Sequence, residues 1–419
     1  MISLRWKEIL NILIPFYRIK MLELTKDEQW KQKKFYIDPI SDVLICSSAT
    51  YSGLENRKKI VDDAIYFTAL KKLNKYLIIE EKLDDYIYDM IENLYNAIEI
   101  FSIELINSIA DKLIHTLNQY GQCVYYAEVL EVVRCILGFY NSDIYFLNKK
   151  EYDKFSIILD IFPDKLQRIL IYIMFQYSII YNRKQIKYLL RKQENSSFIW
   201  NKIAILEYNA LHRFHAISSI GKCNDLLDEY LDNKIIWYSI QSIIMLYSMD
   251  IDGRDTDDFI RSLYEEIISR NLSKMPRIII YNILLYLIIH GRYQIAIDYL
   301  HKYFLSQNLI SLHCLNMLIF CRHMLEIYEP DKTIVVDNVK KCNKSEYNLY
   351  NLLLNMHTLT QGKLCNILEK TIIPNIQEYD VFSLLIIEKE LIKLLDSKNY
   401  YKAYSIFRSE IYKNCKKKD

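Results

Sequence analysis

The chain has 419 residues, 51% hydrophobic and 25% charged, enough apolar material for a large core and too much for a disordered polymer. Its formal net charge of +2 supplies no global attraction to nucleic acid or an acidic membrane surface. With seven glycines and six prolines, it can build few tight hairpins and few phosphate-cradling loops, which excludes most loop-built nucleotide sites and points to helices joined by short polar turns.

From the N-terminus, the apolar run over 9–17, followed at once by Arg18 and Lys20, reads as an amphipathic helix rather than a signal peptide. Residues 36–53, rich in Asp, Pro and Ser, read as irregular. Over 60–77 the set Ile60, Ala64, Phe67, Leu70, Lys71, Asn74, Leu77 follows the helical three-four rhythm. The stretch 84–117 carries Ile87, Ile91, Leu94, Ile98, Phe101, Leu105 and Ile109 in the same rhythm and reads as one long helical segment. Further helices are expected over 124–139, 151–161, 163–181, 183–193, 197–210, 212–231, 235–247, 256–270, 276–290, 293–305 and 310–328, then 346–360, 363–369, 380–396 and 400–414. Pro163 and Pro276 suit first turns, Asp255 or Thr256 and Ser345 suit caps, and ends are expected at Gly121, Gly291 and Gly362. Residues 330–343, with Thr333-Ile-Val-Val336, read as irregular or a short strand.

The expected fold is therefore all-α, a solenoid of about eight to ten antiparallel helical hairpins. Its expected divisions are an N-terminal helix and irregular segment (1–55), a repeat body (56–330) and C-terminal repeats (331–419), or one continuous array. The longest uncharged run, 303–321, is broken by Ser306, Gln307, Asn308 and Ser311 and does not read as a membrane span. Nine scattered cysteines with no C-x-x-C pair indicate a reducing, cytoplasmic compartment. The 36 tyrosines fit either base-composition bias or a functional aromatic surface.

One segment carries a more specific pattern. In 276–304, Gly291-Arg-Tyr-Gln-Ile-Ala296 followed by Leu300 resembles the second half of a tetratricopeptide repeat, with a small residue where two helices approach and a glycine at the turn. Lys398-Asn-Tyr-Tyr-Lys-Ala403 with Phe407 is a second copy, and 121–127 a third. Such arrays resemble those of bacterial peptide-sensing regulators, although residues 1–60 hold no recognisable helix-turn-helix. The resemblance implies a superhelix that holds a short peptide or a protein segment in a concave groove. On the first helix of the best copy, Ile278, Tyr281, Asn282 and Leu285 are the expected groove residues, with the Asn282 amide placed to grip a peptide backbone.

Chemistry-bearing motifs are sparse. His212 and His215 share a helical face, and Cys223 follows, which allows a metal pair or an interhelical contact. His313, Cys314, Cys321 and His323 cluster in sequence, but a separation of about 10 Å between the two cysteines along a helix favours core thiols. The acidic run 250–258 lacks the calcium-loop glycine and glutamate positions and reads as a polar turn and cap. Asp225-Leu-Leu-Asp-Glu229 has no partner motif. No nucleophile elbow, P-loop or dinucleotide fingerprint occurs. The expectation is a non-enzymatic chain with no catalytic residue, metal or cofactor, binding a protein or short peptide. The alternative is a peptide-sensing regulator that touches nucleic acid through the basic face Arg183, Lys184, Lys187, Arg191 and Lys192.

Overall fold

The computed structural model describes residues 2–37, 43–141, 147–181, 185–193, 196–211, 216–248, 276–305, 312–327, 344–356, 358–379, 381–392, 395 and 397–416. Among these the fold is all-α; extended pairing is limited to two isolated bridges, Ile37 to Leu44 and Tyr76 to Cys123. The chain divides into two compact units between Met174 and Phe175. The expected boundaries at 55 and 330 do not coincide with that division, and residue 330 lies outside the described residues.

In the first unit α1 (Leu4–Thr25) is the organising element. It buries Trp6, Leu10, Leu13, Ile14 and Tyr17 and passes through Pro15 without ending. It packs on α3 (Ser48–Glu55), α4 (Asp63–Lys72) and α8 (Lys149–Ile158), while the short α2 (Gln32–Phe35) follows a single turn of 3-10 helix. The segment expected to be irregular thus contains α3, whose start is fixed by Ser47 accepting from the Thr50 N–H. Next come α5 (Glu81–Glu99), α6 (Ile103–Asn118) and α7 (Tyr126–Asn141), with α6 packed on α5 and α7 on α6. α8 opens with a reciprocal capping box between Asn148 and Glu151. α9 (Asp164–Tyr181) carries the division between the units.

The expected single stretch over 84–117 is corrected here. Phe101 takes a left-handed conformation (φ 56°), its N–H bonding Ile98 O and the Ser102 N–H bonding Ala97 O. The chain restarts in a new phase. Ile87, Ile91, Leu94 and Ile98 are buried as expected, but Leu105 is 49% exposed and Ile106, Ala110, Leu113 and Leu117 face the core instead.

The same closure recurs at Arg57, Asn74, Gly291 and Glu326. Just one of the five positions is a glycine, so the chain terminates helices with ordinary side chains in a region that costs them about 1–2 kcal/mol each.

The second unit continues with α10 (Ile186–Gln193), α11 (Ile199–Leu211), α12 (Ala216–Glu229), α13 (Lys234–Ser248), α14 (Arg277–Ile289), α15 (Tyr293–Leu300), α16 (Leu312–Met324) and α17 (Lys344–Asn355). From α11 to α17 each helix packs on the next described one. α18 (Gln361–Ile367), α19 (Val381–Ile386) and α20 (Ser397–Lys416) follow. Gly362 sits inside the first turn of α18 and ends nothing, and Ser345 lies inside α17 rather than capping it. The expected helix 256–270, its cap and the segment 330–343 lie outside the described residues.

Candidate functional site

The segment that resembles a repeat forms the hairpin α14–α15. Pro276 stands at the N-cap, and Gly291 (φ 71°) turns the chain, its N–H bonding Ile288 O and the Arg292 N–H bonding Leu287 O. Ala296 and Leu300 are fully buried. α14 is apolar almost all round, and such a helix is covered on most sides. It packs against α13 on one side and α15 on another.

That burial corrects the expected groove. Asn282 is fully buried; its Nδ2 donates to Ser242 Oγ at 2.9 Å, and Ser242 donates to the Ser239 carbonyl at 2.7 Å. The amide ties α14 to α13 instead of facing a peptide. Leu285 is also fully buried, and the side chain of Ile278 lies outside the described residues. Tyr281 is half-buried, and its hydroxyl meets His313 Nε2 at 2.6 Å.

His313 thereby joins a polar cluster that links three helices. Its Nδ1 lies 3.7 Å from Glu346 Oε2, and Asn316 Nδ2 donates to the same oxygen at 2.9 Å. Glu346 is 3% exposed in the first turn of α17, where the helix N-terminus favours a carboxylate. Phe382 closes the imidazole edge-on at 5.7 Å, and the Tyr379 hydroxyl donates to the Ser345 carbonyl at 2.9 Å. The Tyr281–His313 contact ties α14 to α16, and the Asn316–Glu346 hydrogen bond ties α16 to α17. In the sequence His313 stands near Cys314, Cys321 and His323, where the spacing favours core thiols. The structure buries both thiols, and burial pushes Cys321 up to about 12. Asn316 and Glu346 were not anticipated, because their partners are 30 residues apart in sequence and no local spacing announces them.

Arg191 and Lys192 of the expected basic face are exposed on α10, where the Lys192 ammonium stands 5.9 Å from the ring centre of the exposed Tyr188. Arg183 and Lys184, together with the side chain of Lys187, lie outside the described residues, as do His212, His215 and the acidic run 250–258. Among the described residues no three His, Cys, Asp or Glu side chains gather as metal ligands, and no helix is long and apolar enough to cross a membrane. No protein-family model matches the chain, and neither curated proteins nor solved structures include a match.

Proposed function

We propose that the chain is a non-enzymatic binding module, a tetratricopeptide-like superhelix that takes a short peptide or a segment of a partner protein. The α14–α15 hairpin carries this reading: a left-handed glycine at the turn, and a small buried Ala296 and a buried Leu300 on the second helix. The chain-order packing from α11 to α17 adds support, because stacked repeats bury their faces on sequence neighbours. With Asn282 and Leu285 committed to the core, one open apolar surface among the described residues in this part of the chain is a stripe on α17. Tyr347 (37% exposed), Tyr350 and Leu354 (47% exposed) follow one another at helical spacing, and the two rings stack at 6.5 Å. Cys46, Cys123, Cys135, Cys223, Cys314, Cys321 and Cys365 are free thiols, in keeping with a cytoplasmic setting.

Affinity capture from the native source, with the full chain and a Tyr347→Ser/Leu354→Ser variant as baits, tests the proposal. A protein or peptide retained in stoichiometric amount by the first bait and lost from the second supports it. Recovery of both baits bare overturns it. The second reading, contact with nucleic acid, draws on the exposed Arg191 and Lys192 beside Tyr188. It expects a duplex shift that weakens steeply with salt and is lost in Arg191→Glu/Lys192→Glu.

A further inference from the structure

In the first unit, the last turn of α4 and the extended residues after it frame a depression of about 410 Å³, lined by Phe67, Leu70, Lys71, Lys75, Tyr76 and Leu77. This lies within the ~300–1,000 Å³ range of ligand pockets. Its floor is held for local reasons. α4 ends on Asn74 in the left-handed region (φ 51°), a conformation asparagine tolerates; the Asn74 N–H bonds Lys71 O at 3.0 Å and the Lys75 N–H bonds Leu70 O at 2.9 Å. Tyr76 is then bridged to Cys123, its carbonyl accepting from the Val124 N–H at 3.0 Å, and the Ile78 N–H donates to Cys123 Sγ at 3.3 Å.

The walls combine apolar surface with charge of one sign. Phe67 is 50% exposed and Tyr76 42%. Lys71 and Lys75 have no carboxylate partner among the described residues. Their neighbour Lys72 differs, since its ammonium donates to the Phe35 and Ile37 carbonyls. Lys75 stands 5.3 Å from the centre of the Tyr17 ring and 3.4 Å from Gln122 Oε1, contacts that orient the ammonium without neutralising it. Glu128, which accepts from the Tyr17 hydroxyl, is already paired with Lys154. The α4 carbonyls of Ala69, Leu70 and Lys71 are occupied by the N–H groups of Leu73, Lys75 and Asn74, so the negative end of the helix is muted.

Two uncompensated ammonium groups beside two rings and two leucines complement an apolar side chain with a carboxylate next to it. They are too few for nucleic acid, whose affinity accumulates over many phosphate contacts. We propose that this depression docks a partner's peptide segment in which an aromatic or leucine side chain is flanked by carboxylates. The proposal is a second docking site that goes beyond the binding function above and uses no residue of the second unit, so the two can fail separately.

The test is fluorescence anisotropy of the full chain with a labelled, end-blocked probe of sequence Asp-Leu-Phe-Asp-Glu, alongside Lys-Leu-Phe-Lys-Lys and oligothymidine. The acidic probe is expected to bind saturably, more weakly as salt rises. Lys71→Glu, a change at an exposed side chain, weakens it several-fold, and Lys71→Glu/Lys75→Glu weakens it on the order of tenfold or more. Phe67→Ser, also at an exposed position, weakens it with an unchanged circular dichroism spectrum. The Tyr347→Ser/Leu354→Ser variant binds like the unmodified chain. No saturable binding of the acidic probe, equal binding of the basic one, tighter binding of oligothymidine, or indifference to Lys71→Glu each overturns the proposal.

Discussion

Arg18 grips Glu55 with both arms of its guanidinium, Nε to Oε1 and Nη2 to Oε2, each at 2.8 Å, and both side chains are 8% exposed. The remaining groups are engaged as well: Arg18 Nη1 donates to the Trp30 carbonyl at 2.8 Å, and Gln32 Nε2 donates to Glu55 Oε2 at 2.7 Å. One buried pair therefore fastens α1, α3 and the segment between them.

Removing one partner strands the other charge. Arg18→Met is expected to destabilise the first unit by about 3–5 kcal/mol, and Arg18→Met/Glu55→Met by clearly less, because the double change leaves no orphan carboxylate. Urea unfolding followed by tryptophan fluorescence checks this; equal losses in the two variants contradict it.

The left-handed helix ends give a paired prediction. Glu326 is an exposed residue at φ 60°, so Glu326→Gly relieves strain and is expected to gain roughly 0.5–1 kcal/mol after the entropy of glycine is subtracted. Gly291→Ala is expected to lose about 1 kcal/mol. A Cβ at Gly291 meets nothing nearer than the Tyr293 ring at 3.9 Å, so that loss is one of backbone conformation. Shifts of the urea midpoint in opposite directions are the expected result.

Glu207 supplies a pH dependence. Burial raises its pKa from 4.5 to about 8, against the opposing effect of a hydrogen bond from Gln176. The folded state thus keeps a proton that the unfolded chain releases above its own lower pKa. Stability should be highest near and below pH 4.5 as far as this group is concerned, fall as pH rises towards about 8, and level off beyond it. Glu207→Gln should flatten that slope and stabilise the protein at pH 8, as measured by denaturant unfolding at a series of pH values.

The thiols should separate by accessibility. Burial pushes Cys223 and Cys321 up to about 12, whereas Cys46 is half-buried. Alkylation of the native protein with peptide mapping should label Cys46 well before Cys223 or Cys321, which react after unfolding. Early labelling of Cys321 would show that the packing around α16 is not as described.

The amino-acid sequence by itself determined the all-α class and most helix spans, because a three-four apolar rhythm and a shortage of glycine and proline act locally. It also placed the turn at Gly291, where the residue type and the conformation agree. It could not place the turn at Phe101: a left-handed phenylalanine is disfavoured locally and is tolerated where tertiary contacts such as its edge-on contact with Tyr140 hold it. Nor could it choose the role of Asn282. On a helix as apolar as α14 a single amide looks like a surface signal, and the position of Ser242, 40 residues earlier, is what makes it a core hydrogen bond. The depression at the end of α4 was hidden for the same reason. Phe67, Leu70, Lys71, Asn74 and Leu77 read as one inward stripe, but the helix stops at Lys72, and the bridge from Tyr76 to Cys123 directs the following residues away from the helix path. Local periodicity determines that a helix forms; which of its faces is covered, and where it stops against its propensity, depends on residues far away in the chain.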